Sequence, residues 1–188
     1  MKSTSGVARR VVFYGNPVLR TKASMVTDIT ADVRRLLADL KRMVVSEDGL
    51  GLAANQVAVP LQVFAINPAG ADAGNRPYCI INPTVVATEG SVEREEGCLS
   101  IPDVYDVVSR PELVRIAGID EEGRSVEMEA TGLLARAFMH ETDHLNGVLF
   151  IDMLGEVRRR LMADRLRKIE ARELRLSRER QSQTAESE

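Results

Sequence analysis

The sequence predicts an α+β domain. Three observations carry this: strand-like segments are spread between residues 61 and 130, helical periodicity precedes and follows them, and no regular βαβ alternation links the two kinds of segment. The chain has 188 residues and 44% hydrophobic content, enough for one sizeable core. Aromatic residues make up only 4% and tryptophan is absent, so that core has to be built from Val, Leu, Ile, Ala and Met.

Residues 1–28 read as irregular, with turn chemistry at Gly15-Asn16-Pro17. Residues 30–45 read as a helix. Thr30 is a good N-cap, and Val33, Leu36, Leu37, Leu40, Met43 and Val44 recur at helical spacing, while Arg34, Arg35, Asp39 and Lys41 fill the other face. Small residues then dominate 49–56. Residues 61–66 read as a buried strand and 68–77 as a hairpin loop. Residues 78–86 and 113–119 are further strands, and 125–130 alternates with period 2. A second helix starts near Thr131 and stops before Gly147, a residue type suited to the position after a helix end. A third starts near Leu154, with Leu154, Val157, Leu161 and Leu166 as a narrow apolar stripe. After Ser177 the composition is polar and aperiodic, which predicts disorder. The expected division is therefore one domain over 1–170, including the start of a basic helix, and a basic then polar tail over 171–188, partly disordered.

Charge and cysteine content narrow the function classes. The net charge of −3 gives no global nucleic-acid footprint, yet residues 158–180 hold ten Lys/Arg against four Asp/Glu. That stretch reads either as a solvated helix face or as a contact for RNA or another anionic surface. Cys79 and Cys98 imply no disulfide framework, no apolar run is long enough to span a membrane, and residues 1–10 contain no apolar signal segment. A cytoplasmic enzyme with no membrane partner is the expectation.

The chemistry concentrates at His140-Glu141-Thr142-Asp143-His144, which contains both histidines of the chain. On a helix, positions i and i+4 share a face, so both imidazoles can hold one metal ion while Glu141 lies beside it, free to move a proton. Catalytic metal sites usually take a third protein ligand and leave a position open. A third histidine six residues on is excluded, because Phe150 stands there. Glu156 and Glu170 are available downstream but belong to the charged C-terminal helix, and Asp143 points about a hundred degrees away from His144, as an orienting or capping group would. Cys98, between Gly97 and Leu99-Ser100, sits where a strand end or loop can present its sulfur, and a thiolate binds divalent metals strongly. The local sequence favours Cys98 as the ligand. Cys79, inside an apolar strand, reads as a small buried hydrophobe.

Three segments together resemble the peptide deformylases. Residues 49–56, Gly-Leu-Gly-Leu-Ala-Ala-Asn-Gln, are similar to the family's G-x-G-L-A-A-x-Q; Glu96-Gly97-Cys98-Leu99-Ser100 to its E-G-C-L-S; and His140–His144 to its H-E-x-D-H. Gly15-Asn16-Pro17-Val18-Leu19-Arg20 also resembles an early family segment, and the likeness covers roughly residues 12–155. Met139 departs from it, standing where glutamine is common. The resemblance implies a small α+β domain with the H-E-x-x-H helix central, mostly antiparallel sheets around it and a helix at the C-terminus. It implies Cys98, His140 and His144 as ligands of one divalent metal, Fe(II) in cells, with Zn, Ni or Co as alternatives. It implies Glu141 as acid/base, the Gln56 side chain and the Leu99 N–H as donors to the reacting oxygen, and Gly51 close to the substrate backbone. Leu50 and Gly97 are further candidates for substrate contact. The implied substrates are nascent N-formylmethionyl peptides, with formate released, and in this family the C-terminal helix can approach the ribosome.

The residue types suit that reaction. Amide resonance makes a formyl amide a poor electrophile, and a divalent metal lowers the pKa of a water it holds toward about 7. A glutamate can take that proton and pass it to the leaving amine. The negative tetrahedral oxygen needs fixed donors, each worth about 2.7–4 kcal/mol of barrier, and a Gln amide donates without titrating. Leu50, Leu133 and Ala137 are candidates to line a pocket for a methionine side chain. Two other readings compete: an H-E-x-x-H zinc endopeptidase, and a non-catalytic RNA- or ribosome-binding protein with a structural metal.

Overall fold

In the computed structural model the described residues are 9–68 and 76–186. The elements run α1 (Ala31–Ser46), β1 (Gly51–Ala53), β2 (Val63–Ile66), β3 (Tyr78–Glu89), β4 (Val92–Cys98), β5 (Ile101–Arg110), β6 (Leu113–Ile119), β7 (Ser125–Thr131), α2 (Gly132–Leu145) and α3 (Glu156–Glu186). Five strands form one antiparallel sheet in the order β1-β2-β3-β6-β7, and β4 and β5 form a separate antiparallel pair. The architecture is the α+β arrangement the sequence predicts, with the two-histidine helix at its centre.

The alternation of side chains along a strand explains why β2 is apolar throughout. Val63 and Ala65 face one way, into a cluster with Leu36, Leu40 and Val44 of α1. Phe64 and Ile66 face the other way, into a cluster with Ala135, Phe138 and Leu145 of α2. The sheet is thus covered on both faces, and a strand covered on both faces has no polar side. Helix α1 forms where the periodicity places it, and Thr30 caps it by accepting a hydrogen bond from the Val33 N–H. Helix α2 begins directly at the end of β7, and Gly147, left-handed at φ +75°, follows its end as predicted.

Several expectations are corrected. The β4–β5 hairpin escapes the sequence reading because β4 (Val-Glu-Arg-Glu-Glu-Gly-Cys) is polar and mostly exposed; only Glu96 on it is buried. The apolar stripe of the third helix is also reassigned. Val157 and Leu161 are exposed, and the face that packs inward is Met162, Leu166 and Ile169, continued by a buried glutamate, Glu173. Spacings of four, three and four residues keep these on one helical face. Glu173 therefore does not belong to a solvated face: it accepts from Arg10 Nη1 and Nη2 (2.8 and 2.9 Å), the Phe13 N–H, Asn16 Nδ2 and Ser177 Oγ. Those bonds hold its carboxyl down at about 2, against the opposing effect of burial. α3 is helical through Glu186, past the point where composition suggests an irregular end. The expected hairpin loop at 68–77 lies mostly outside the described residues, but β2 and β3, which it joins, do pair antiparallel.

Candidate metal centre and cleft

Three elements converge on one point. The last residue of β4 supplies Cys98, the buried face of α2 supplies His140, Glu141 and His144, and the turn after β1 supplies Gln56. A register shift between Gly97 and Cys98 interrupts the β4–β5 ladder just before its last pair, Cys98 with Ile101. Cys98 Sγ lies 3.2 Å from His144 Nε2, which lies 3.1 Å from His140 Nε2, and all three donors fall within 4.8 Å of one another. Among the described residues this is the one cluster of three or more His, Cys, Asp or Glu side chains suited to holding a metal ion. Glu156 and Glu170 do not join it.

The donor set fits a divalent transition metal. His140 Nδ1 sits 2.7 Å from Glu96 Oε1, so the ring donates there and turns its Nε2 lone pair toward His144. Two imidazole nitrogens and a sulfur brought this close are the donor types that bind divalent transition metals. Metal–nitrogen bonds of 2.0–2.1 Å and metal–sulfur bonds of 2.3 Å around a tetrahedral ion separate such donors by about 3.3–3.6 Å, close to the spacing of the contacts here.

Behind Cys98 and the histidines lies an ionic frame whose two arginines had no signal in the sequence. Arg110, at the end of β5 and almost fully buried, donates to both oxygens of Glu96 (2.7 and 3.0 Å) and to Asp143. Arg136 adds 2.7 Å to Glu96 Oε2 and reaches the Val92 and Val108 carbonyls. Burial alone would raise the Glu96 carboxyl, but hydrogen bonds from His140 and Arg110 hold it far below the ordinary carboxylate range. Asp143 therefore has the orienting place expected of it. Glu96 opens the E-G-C-L-S segment, but Arg110 and Arg136 are single arginines that nothing local distinguishes.

Glu141 faces a different environment. It is buried, its Oε2 has no hydrogen-bond partner, and burial pushes its carboxyl up to about 7. Gly51 is a glycine for its sake: a Cβ there would stand 2.4 Å from Glu141 Oε1 and 2.6 Å from its Cγ. Gly97 is needed similarly, because a Cβ would meet the Tyr105 ring at 2.5 Å. Gln56 accepts from the Ala53 N–H (2.8 Å), which aims its Nε2 at Ser100 Oγ (3.2 Å) and Cys98 Sγ (3.6 Å). These groups open on a cleft of about 630 Å³. Leu50, Leu99, Leu133 and Ala137, singled out in the sequence, all line it, and so do Phe13 and Arg172, which were not.

An H-E-x-x-H helix whose two imidazoles meet the Cys98 sulfur, with a buried carboxyl lining the adjoining cleft, defines a metallohydrolase type of centre on an α+β scaffold. Comparison with known proteins makes this specific. Residues 8–160 match the family model described as polypeptide deformylase. A peptide deformylase of Psychrobacter cryohalolentis is 40% identical over 160 residues, 85% of this chain and 86% of that protein. The crystal structure of a peptide deformylase from Legionella pneumophila superposes with a TM-score of 0.82 at 34% identity, covering 90% of this chain and 99% of the other. One from Synechococcus elongatus in complex with actinonin gives 0.78 at 37% identity, over 87% and 90%. The chain belongs to the polypeptide deformylase family.

Proposed function

We propose that this chain is a metal-dependent hydrolase that removes the N-formyl group from the N-terminal formylmethionine of newly made polypeptides, releasing formate. The observation that carries the reading is the convergence of Cys98, His140 and His144 beside the buried Glu141 carboxyl, with Cys98, His140 and Glu141 lining one cleft. These three side chains hold one divalent ion, Fe(II) in cells, with Zn, Ni and Co as substitutes. When bound, the ion supplies Lewis-acid polarisation and acidified water.

The remaining roles belong to the protein. Glu141, raised toward neutrality by burial, takes a proton from the attacking water and delivers it to the departing amine of the methionine. Gln56 Nε2 and the backbone N–H of Leu99 donate to the oxygen that gains charge. Gln56 is pre-aimed for this by the Ala53 N–H on its Oε1. Gly51 lets the substrate backbone approach, while Leu50, Gly97, Leu133 and Ala137 accept the methionine side chain. The Glu96–Arg110–Arg136 frame fixes the ring of His140.

Formate release from formyl-Met-Ala-Ser with no internal cleavage tests this; internal cleavage would favour the endopeptidase reading instead. Anaerobic metal analysis of the same sample tests the assignment of iron. We place the enzyme in the cytoplasm and give α3 a contact with the ribosome, motivated by its exposed basic residues. Cutting the chain before α3 would strip Met162, Leu166 and Ile169 from the core. Reversing Arg165, Lys168 and Arg175 to Glu is the cleaner test: ribosome pelleting equal to the parent's defeats the contact.

A further inference from the structure

Arg172 is a cation of α3 that reaches the cleft. Residue 172 lies beyond the stretch matched by the family model, which stops at 160. Its neighbour Glu173 anchors the helix through Arg10, Asn16 and the Phe13 N–H. That anchor sets the Arg172 guanidinium 4.6 Å over the centre of the Phe13 ring, and both residues line the cleft that contains Cys98, His140 and Glu141. Stacking on a ring fixes a guanidinium while leaving its edge N–H groups free to donate. The one other arginine lining the cleft, Arg136, is buried against Glu96. The exposed lining also includes Glu47, Asp48, Glu95 and Asp103. Four carboxylates disfavour an anionic ligand at this rim, so the acceptor that suits Arg172 is a neutral oxygen. The cleft volume of 630 Å³ corresponds to a span of roughly 11 Å, about three extended residues.

Resting on the deformylase reading, we propose that Arg172 is a substrate-positioning residue: it donates to a backbone carbonyl of the peptide one or two residues beyond the formylated methionine. The C-terminal helix then forms part of the substrate cleft as well as part of the core.

The test compares formyl-Met amide with formyl-Met-Ala-Ser amide, both uncharged at the C-terminus, on the metal-loaded full chain. Replacing Arg172 with Gln should raise KM for the longer peptide about threefold to tenfold relative to the shorter one, with kcat changed less than twofold and the melting temperature unmoved. Arg172→Lys, which keeps the charge but loses the stacked planar donor, should leave KM for the longer peptide between those of the Gln variant and the parent. An unchanged KM ratio, an equal rise for both peptides, a fall in kcat, or a Lys variant indistinguishable from the parent each overturns the proposal. If the parent releases no formate from either peptide, the deformylase reading fails; if it does and the Gln variant matches it, this inference alone fails.

Discussion

The Glu173 anchor makes a prediction about stability that can be worked from its geometry. The carboxylate is 1% exposed and takes five hydrogen bonds, two of them from Arg10. Glu173→Gln keeps the shape and mimics the protonated acid. Moving a carboxyl from its ordinary 4.5 to about 2 is worth about 3 kcal/mol at neutral pH, because each pKa unit is about 1.4 kcal/mol. Arg10 is 22% exposed, and solvent screening of that side makes the figure an upper bound. In a chain of this size it corresponds to a melting temperature lower by up to about 6–12 °C. The sign follows from the direction of the depression: the folded state holds the ionised form, so the contribution is complete above about 4.5 and is lost as pH falls toward 2. Urea unfolding of parent and variant at pH 7, 5 and 3.5 should give a stability gap that is widest at pH 7 and narrowed by about two-fifths at pH 3.5. A gap under about 1 kcal/mol at pH 7, or one that widens in acid, would show that Glu173 does not anchor α3 as an ionised group.

Three further outcomes are expected. Glu141→Ala should lower kcat about 10²–10⁴-fold while metal content per chain stays at the parent level; surviving activity defeats the proton-transfer role. Glu96→Gln should weaken metal affinity about 10–100-fold by loosening the His140 ring, read by competition with a chelator, and parental affinity would mean that the Arg110 frame is only structural. Gly51→Ala should keep a folded far-UV spectrum and bound metal yet lose activity, since its Cβ displaces Glu141; full activity would mean that Glu141 has room to move without harm.

Much of the centre was legible in the sequence because its chemistry is local. His140, Glu141 and His144 share one helix face by spacing alone, and Thr30 with the Val33–Val44 periodicity marked α1 almost to the residue. Cys98 needed its glycine and serine neighbours to stand apart from Cys79, and the family likeness then joined it to the histidines. The long-range partners could not be read in the same way. Val157 and Leu161 look like core but face water, while Glu173 looks solvated but is buried, because the docking angle of α3 selects its inward face. Polarity likewise hid β4, whose ladder with β5 is held by backbone hydrogen bonds that any side chain permits.

By itself, then, the sequence determined the His140–Glu141–His144 helix face and the α+β class, because residue type and short spacing specify both. Only the tertiary structure decided that Arg110 and Arg136 would meet on Glu96, that Gly51 would yield its Cβ space to Glu141, and that Arg172 would reach the cleft. Those contacts join residues distant along the chain, and their partners are chosen by how elements pack rather than by any pattern within one element.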